Sequence, residues 1–140
     1  MGLLSAVAIS DVPENKANKL KATAVVGQVE QKEVANDYIS VAVPLEFTDE
    51  VSGDSRTFTA RWNVKADWFN PGFSVAELED KEKISYQINM QKLTRGLFKS
   101  AGLDSIDFDS IVGETVGFTA GPRKDDPSRL EVKGFYAPKA

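Results

Sequence analysis

The sequence predicts a mainly β domain carrying one α-helix, and three observations predict it. Five stretches read as strands, the clearest of them with apolar residues at every second position. One stretch, Met90, Leu93, Leu97, Phe98 and Ala101, has apolar residues at helical spacing. Polar connections bearing Gly or Pro separate the elements.

The elements follow in order. Residues 1–19 read as a flexible leader, because Asp11-Val12-Pro13-Glu14-Asn15-Lys16-Ala17-Asn18-Lys19 is polar, contains Pro and lacks apolar periodicity. Residues 20–140 form the single domain. Its first strand spans Lys21 to Lys32, with Thr23, Val25 and Val29 on alternate positions and a bend or bulge at Gly27. The second carries Ile39, Val41, Val43, Leu45 and Phe47 against Tyr38, Ser40, Ala42, Pro44 and Glu46, which describes one buried face. Pro44 has no N–H to give to a ladder, so it pushes this strand toward a sheet edge or a bulge. After the acidic connection Thr48–Ser55, the third strand alternates Phe58, Ala60, Trp62 and Val64 against Thr57, Thr59, Arg61 and Asn63, closing a long hairpin. Asp67-Trp68-Phe69-Asn70-Pro71-Gly72 is an aromatic loop. The helix follows the charged run Glu77–Lys83, extends back as far as Ile84 and stops at Gly102. Val112–Ala120 and Arg129–Ala137 are the last strands, joined by the polar turn Arg123–Ser128.

Composition removes much chemistry. The chain has 140 residues with no His and no Cys, so imidazole bases, thiol nucleophiles, cysteine zinc sites and disulfides are excluded. No Gly-x-x-x-x-Gly-Lys or Gly-x-Gly-x-x-Gly loop cradles a phosphate. The apolar stretch Leu3–Ile9 is short for a signal-peptide core and has no basic residue before it, and no run approaches a membrane span. Gly2 does not open a myristoylation motif, because Ala6 stands where Ser or Thr is required. These readings give a protein that is neither exported nor inserted in a membrane, with no catalytic residue, metal or cofactor expected.

Strand, strand, strand, helix, strand, strand is the element order of an OB-fold, so the expected architecture is a five-stranded OB-fold-like barrel with one α-helix between strands 3 and 4. Such barrels bind ligands across strands two and three and between the loops that join strands one to two and four to five. Single-stranded nucleic acid requires cations for its phosphates and flat rings for its bases. The candidate contacts are Tyr38 on strand two, Arg56 and Arg61 on strand three, Trp68 and Phe69 in the aromatic loop, Arg123, Lys124 and Arg129 around the last turn, and Lys133 and Phe135 on strand five. The formal net charge of -4 argues against a generally basic coat, but the acidic residues gather at Glu46–Asp54, Glu77–Glu82 and Asp104–Asp109, which leaves room for one basic stripe.

The segments Ala60-Arg61-Trp62-Asn63-Val64, Leu93–Leu103, Ile111–Phe118 and Leu130–Pro138 resemble the small single-stranded DNA-binding proteins of bacteriophage replication and recombination modules. The resemblance implies an OB-type fold and binding of single-stranded DNA without strong sequence preference. It further implies work in the cytoplasm of an infected host cell beside replication or recombination proteins, with homo-oligomerisation open. Many such proteins end in an acidic tail that recruits partners, whereas this sequence ends Tyr136-Ala137-Pro138-Lys139-Ala140.

Two other classes compete. A virion or protein-interaction role suits a small, acidic, strand-rich chain. A metal-dependent nuclease would use Glu131-Val132-Lys133 with Asp109, Asp125 or Asp126, although Glu30-Gln31-Lys32 repeats the same short pattern elsewhere. Asp104, Asp107 and Asp109 lack the glycine and terminal Glu of an EF-hand loop.

Overall fold

A computed structural model describes residues 2–15 and 17–138. Its strands are β1 (Leu20–Val26), β2 (Glu30–Glu33), β3 (Tyr38–Thr48), β4 (Ser55–Lys65), β5 (Thr115–Pro122) and β6 (Leu130–Tyr136). All pair antiparallel in one sheet of order β2-β3-β1-β5-β6, with β4 on the other edge of β3. The mainly β class, the order of the elements and the helix between β4 and β5 therefore follow the sequence. The closed five-stranded barrel does not: there are six strands, and no ladder joins β4 to β6 among the described residues.

The extra strand comes from a break in the expected first one. β1 pairs with β3 at Val25 and Val26, β2 pairs with β3 from Glu30 to Glu33, and Gly27-Gln28-Val29 lies between them. Pro44 sits on β3 opposite this break, after the β2 partners end at Ala42 and before the β1 partners begin at Leu45. A Pro on a central strand is tolerated there because no ladder bond is due from its nitrogen, so the strand is not the edge that Pro44 suggests. Gly27 donates to the Pro44 carbonyl at 2.9 Å, and a Cβ on Gly27 would lie 3.2 Å from Pro44 Cβ, which favours a residue without a side chain.

The helical segment is longer than its apolar spacing indicates. It runs as α1 (Asp80–Tyr86), a π-helical stretch (Gln87–Thr94) and α2 (Arg95–Ser100), taking in much of the charged run. It ends as predicted at Gly102, whose φ of 77° is the left-handed conformation a Schellman stop requires. Gly102 N–H bonds to Lys99 O at 3.0 Å and Leu103 N–H to Phe98 O at 3.0 Å, satisfying the last carbonyls of the helix.

The core gathers Val41, Val43, Leu45, Trp62 and Val64 from the β3–β4 hairpin, Val116 and Phe118 from β5, and Leu93, Leu97 and Phe98 from the helix. Ile111, in the loop before β5, is fully buried with them. No helix among the described residues is long and apolar enough to cross a membrane.

Candidate functional site

The unpaired edges of β4 and β6 face a groove of about 470 Å³ lined by Phe58–Asn63, Arg123, Arg129 and Leu130–Val132. Three of the predicted cations, Arg61, Arg123 and Arg129, thus meet at one place although they come from two separate parts of the chain. Arg61 is exposed between buried Ala60 and Trp62, so it stands on the outer face of β4, above Ala42 of β3. Arg123 and Arg129 bracket the β5–β6 turn, which Arg123 N–H closes onto Arg129 O at 2.9 Å.

The charge in this groove is partly internally compensated. Arg123 grips Asp125 with two hydrogen bonds, Nε to Oδ1 at 3.0 Å and Nη2 to Oδ2 at 2.8 Å, which holds the Asp125 carboxyl below the usual range. Arg129 lies 3.5 Å from Asp126, whose pKa is lowered chiefly by the Ser128 hydroxyl, and Lys133 lies 2.6 Å from Glu131. Arg61 and Lys124 make no ion pair among the described residues. Arg61 is therefore the groove cation with its full charge free for a ligand.

The remaining predicted contacts are dispersed. Arg56 stands at the start of β4 and ties the hairpin tip through its 2.9 Å bond to Asp49, whose other oxygen accepts from Val51 N–H at 2.8 Å. Trp68 is only 4% exposed and belongs to the core, so it offers no open ring for stacking. Tyr38 is half-buried against it, edge to face at 5.9 Å, with Lys65 Nζ 4.8 Å from the Tyr38 ring centroid. Phe69 keeps 39% of its surface and leans on Phe108, beyond the far end of β4 from Arg56.

Phe135 does not face outward as the alternation of β6 indicates. The β5–β6 register steps from Thr119↔Gly134 to Ala120↔Val132, leaving Lys133 as an extra residue. This bulge turns Phe135 to the same side as buried Phe118, where it meets Trp62 at 6.0 Å beneath α2. Tyr136 takes the outward place instead. Its ring lies over Gly117, its hydroxyl donates to Ala22 O at 3.3 Å, and Lys21 Nζ stands 5.1 Å from the ring centroid. Tyr136 and Lys21 form an aromatic and cationic pair that strand alternation missed. The available signal was Gly134, since a Gly inside a strand marks a bulge.

Among the described residues, no group of three or more acidic side chains is placed to hold a metal ion. Of the carboxylates named for a nuclease, Glu131, Asp125 and Asp126 are each engaged with a basic neighbour, whereas Asp109 makes no ion pair among the described residues.

No family model, curated protein or solved structure matches the chain.

Proposed function

We propose that this chain is a non-enzymatic protein that binds single-stranded DNA without sequence preference, on an OB-fold-like barrel left open along one seam. The observation that carries the reading is the convergence of Arg61, Arg123 and Arg129 on the β4–β6 groove. Cations along a groove follow a phosphate backbone irrespective of sequence. The strand order also supports it, because joining β4 to β6 would close the sheet into a barrel with β1 and β2 acting as one broken strand. Lys21, Lys133 and Tyr136 extend the polar outer face across β1 and β6, where Tyr136 supplies a ring for a base. On this reading the protein serves phage DNA replication or recombination in the host cytoplasm, beside other replication or recombination proteins.

The test is fluorescence anisotropy of labelled oligo-dT at two salt concentrations, with duplex competitor and a parallel gel containing Mg²⁺. Binding that weakens with salt, persists against duplex and leaves the oligonucleotide intact is expected. Absence of binding at low salt removes the proposal in favour of a virion or protein-interaction role, and metal-dependent cleavage would replace it with the nuclease.

A further inference from the structure

The helix presents a face that no other described residue covers. Tyr86, Gln87, Thr94 and Arg95 keep helical φ/ψ, so Asp80–Ser100 is one continuous rod of about 30 Å. Its inner side buries Met90, Leu93, Leu97 and Phe98. On the outer side exposed residues recur three or four apart, as Asp80, Ile84, Ile88, Lys92, Arg95 and Lys99, and so form one stripe. Ile84 and Ile88 keep 58% and 49% of their surface in the middle of that stripe.

Charge changes sign across these isoleucines. Before them come Glu77, Glu79 and Asp80, with exposed Lys81 among them, while Glu82 is spent on Lys65 and Lys83 lies half-buried off the stripe. After them come Lys92, Arg95 and Lys99, with no acidic residue before Asp104. Apart from Glu82, none of these side chains makes an ion pair with the chain's own groups among the described residues. Acid at the start of a helix and base at its end suit the helix dipole. The dipole accounts for the order of the charges but not for two isoleucines left in water between them.

A stripe ordered acidic, apolar, basic is complementary to itself when reversed. A second helix laid antiparallel about the level of Tyr86 brings Ile84 opposite Ile88 of the second copy, Asp80 opposite Lys92 and Glu77 opposite Arg95, with every contact made twice. Lys81 then faces Gln91, so no like charges meet. Among the described residues the chain has no second helix that could supply this stripe to itself, which makes the occupant another copy. We propose that the protein forms a two-fold dimer through antiparallel contact of these helix faces. A contact confined to one helix is small beside a stable interface, so the dimer dissociates on dilution.

The test uses the full-length chain without DNA, so its outcome is independent of the DNA-binding reading. Sedimentation equilibrium is expected to show dimers that grow with protein concentration and diminish with salt. Glu77→Lys/Asp80→Lys and Lys92→Glu/Arg95→Glu each set like charges opposite one another, so each variant alone is expected to dimerise at least about tenfold more weakly. Mixed together, the two variants again pair opposite charges and are expected to dimerise about as well as the unaltered chain. All the substituted residues are exposed, so the circular dichroism spectra should not change. Ile84→Ser/Ile88→Ser alters the apolar centre without touching a charge and is expected to weaken the dimer as well. The proposal is overturned by a chain that stays monomeric up to about 1 mM, by dimers that any of these variants retains in full, or by a mixture no more dimeric than its separate components. Monomers whose oligo-dT affinity falls with Lys92→Glu/Arg95→Glu would give the stripe to nucleic acid instead.

Discussion

Trp62 donates its indole N–H to Thr94 Oγ1 at 2.9 Å, joining β4 to the π-helical stretch beneath which it is buried. The Thr94 hydroxyl in turn donates to Asn89 O at 2.7 Å, five residues back, and so takes up a carbonyl inside the π-helical stretch. Thr94 is fully buried, so the pair is sealed from water. Thr94→Val keeps the shape but leaves both the indole N–H and the Asn89 carbonyl without this partner. We expect a loss of about 1–3 kcal/mol in urea unfolding, with Thr94→Ser retaining most of the stability. Equal stability of the Val and Thr forms would show that the bond contributes nothing.

Gly117 provides the floor on which the Tyr136 ring lies, and a Cβ there would overlap that ring. Gly117→Ala therefore has to displace Tyr136 and its bond to Ala22 O. The expected cost is about 1–3 kcal/mol, with Gly117→Ala/Tyr136→Ala less destabilised than the sum of the two single changes. Strict additivity in a double-mutant cycle would mean that the two residues do not meet. If the tyrosine also stacks on a base, Tyr136→Phe binds oligo-dT normally while Tyr136→Ala weakens it.

Arg61 and Arg56 lie on the same strand but differ in their partners. Arg56 is occupied by Asp49 at the hairpin tip, whereas Arg61, over the groove, makes no ion pair among the described residues. Arg61→Ala is therefore expected to weaken oligo-dT binding and to flatten the plot of log affinity against log salt by about 0.7, the change for one phosphate contact on a single strand. Arg56→Ala should leave that slope unchanged. A slope lowered equally by both substitutions would place the DNA elsewhere than the seam.

These contrasts also show what could be read from the sequence. The β3–β4 hairpin, β5 and the Gly102 stop were legible because each rests on a local rule: alternation with one buried face, or a glycine at positive φ. The Phe135 and Tyr136 faces were not, because the bulge at Lys133 reverses the alternation and its position is set by pairing with β5. The split between β1 and β2 was half-legible, since Gly27 marks the break but the need for it comes from Pro44 pressing across from β3. Trp68 follows the same logic. Its neighbours Asn70, Pro71 and Gly72 suggest an exposed loop, yet Tyr38 and Tyr86 enclose its ring from elements distant in sequence. Among the cations, sequence position could identify Arg123 and Arg129 but not that Asp125 and Asp126 would hold them.

That compensation yields a prediction about pH and charge. The Asp125 and Asp126 pKa values are depressed by their partners, so the stabilisation from these contacts is present above the ordinary carboxyl value of 3.8 and is lost only as pH falls through the lower folded values. Both carboxylates remain charged from pH 8 to pH 5, and the chain has no His or Cys to titrate in that interval. Oligo-dT affinity should accordingly be nearly flat between pH 5 and pH 8. Releasing the arginines then requires substitution rather than mild acid. Asp125→Asn/Asp126→Asn removes two negative charges from the turn and frees Arg123 and Arg129 to meet phosphates. We expect affinity to rise several-fold at low salt and the salt dependence to steepen toward two further contacts. Unchanged affinity in this variant, measured by the same anisotropy titration, would show that the β5–β6 turn does not face the nucleic acid.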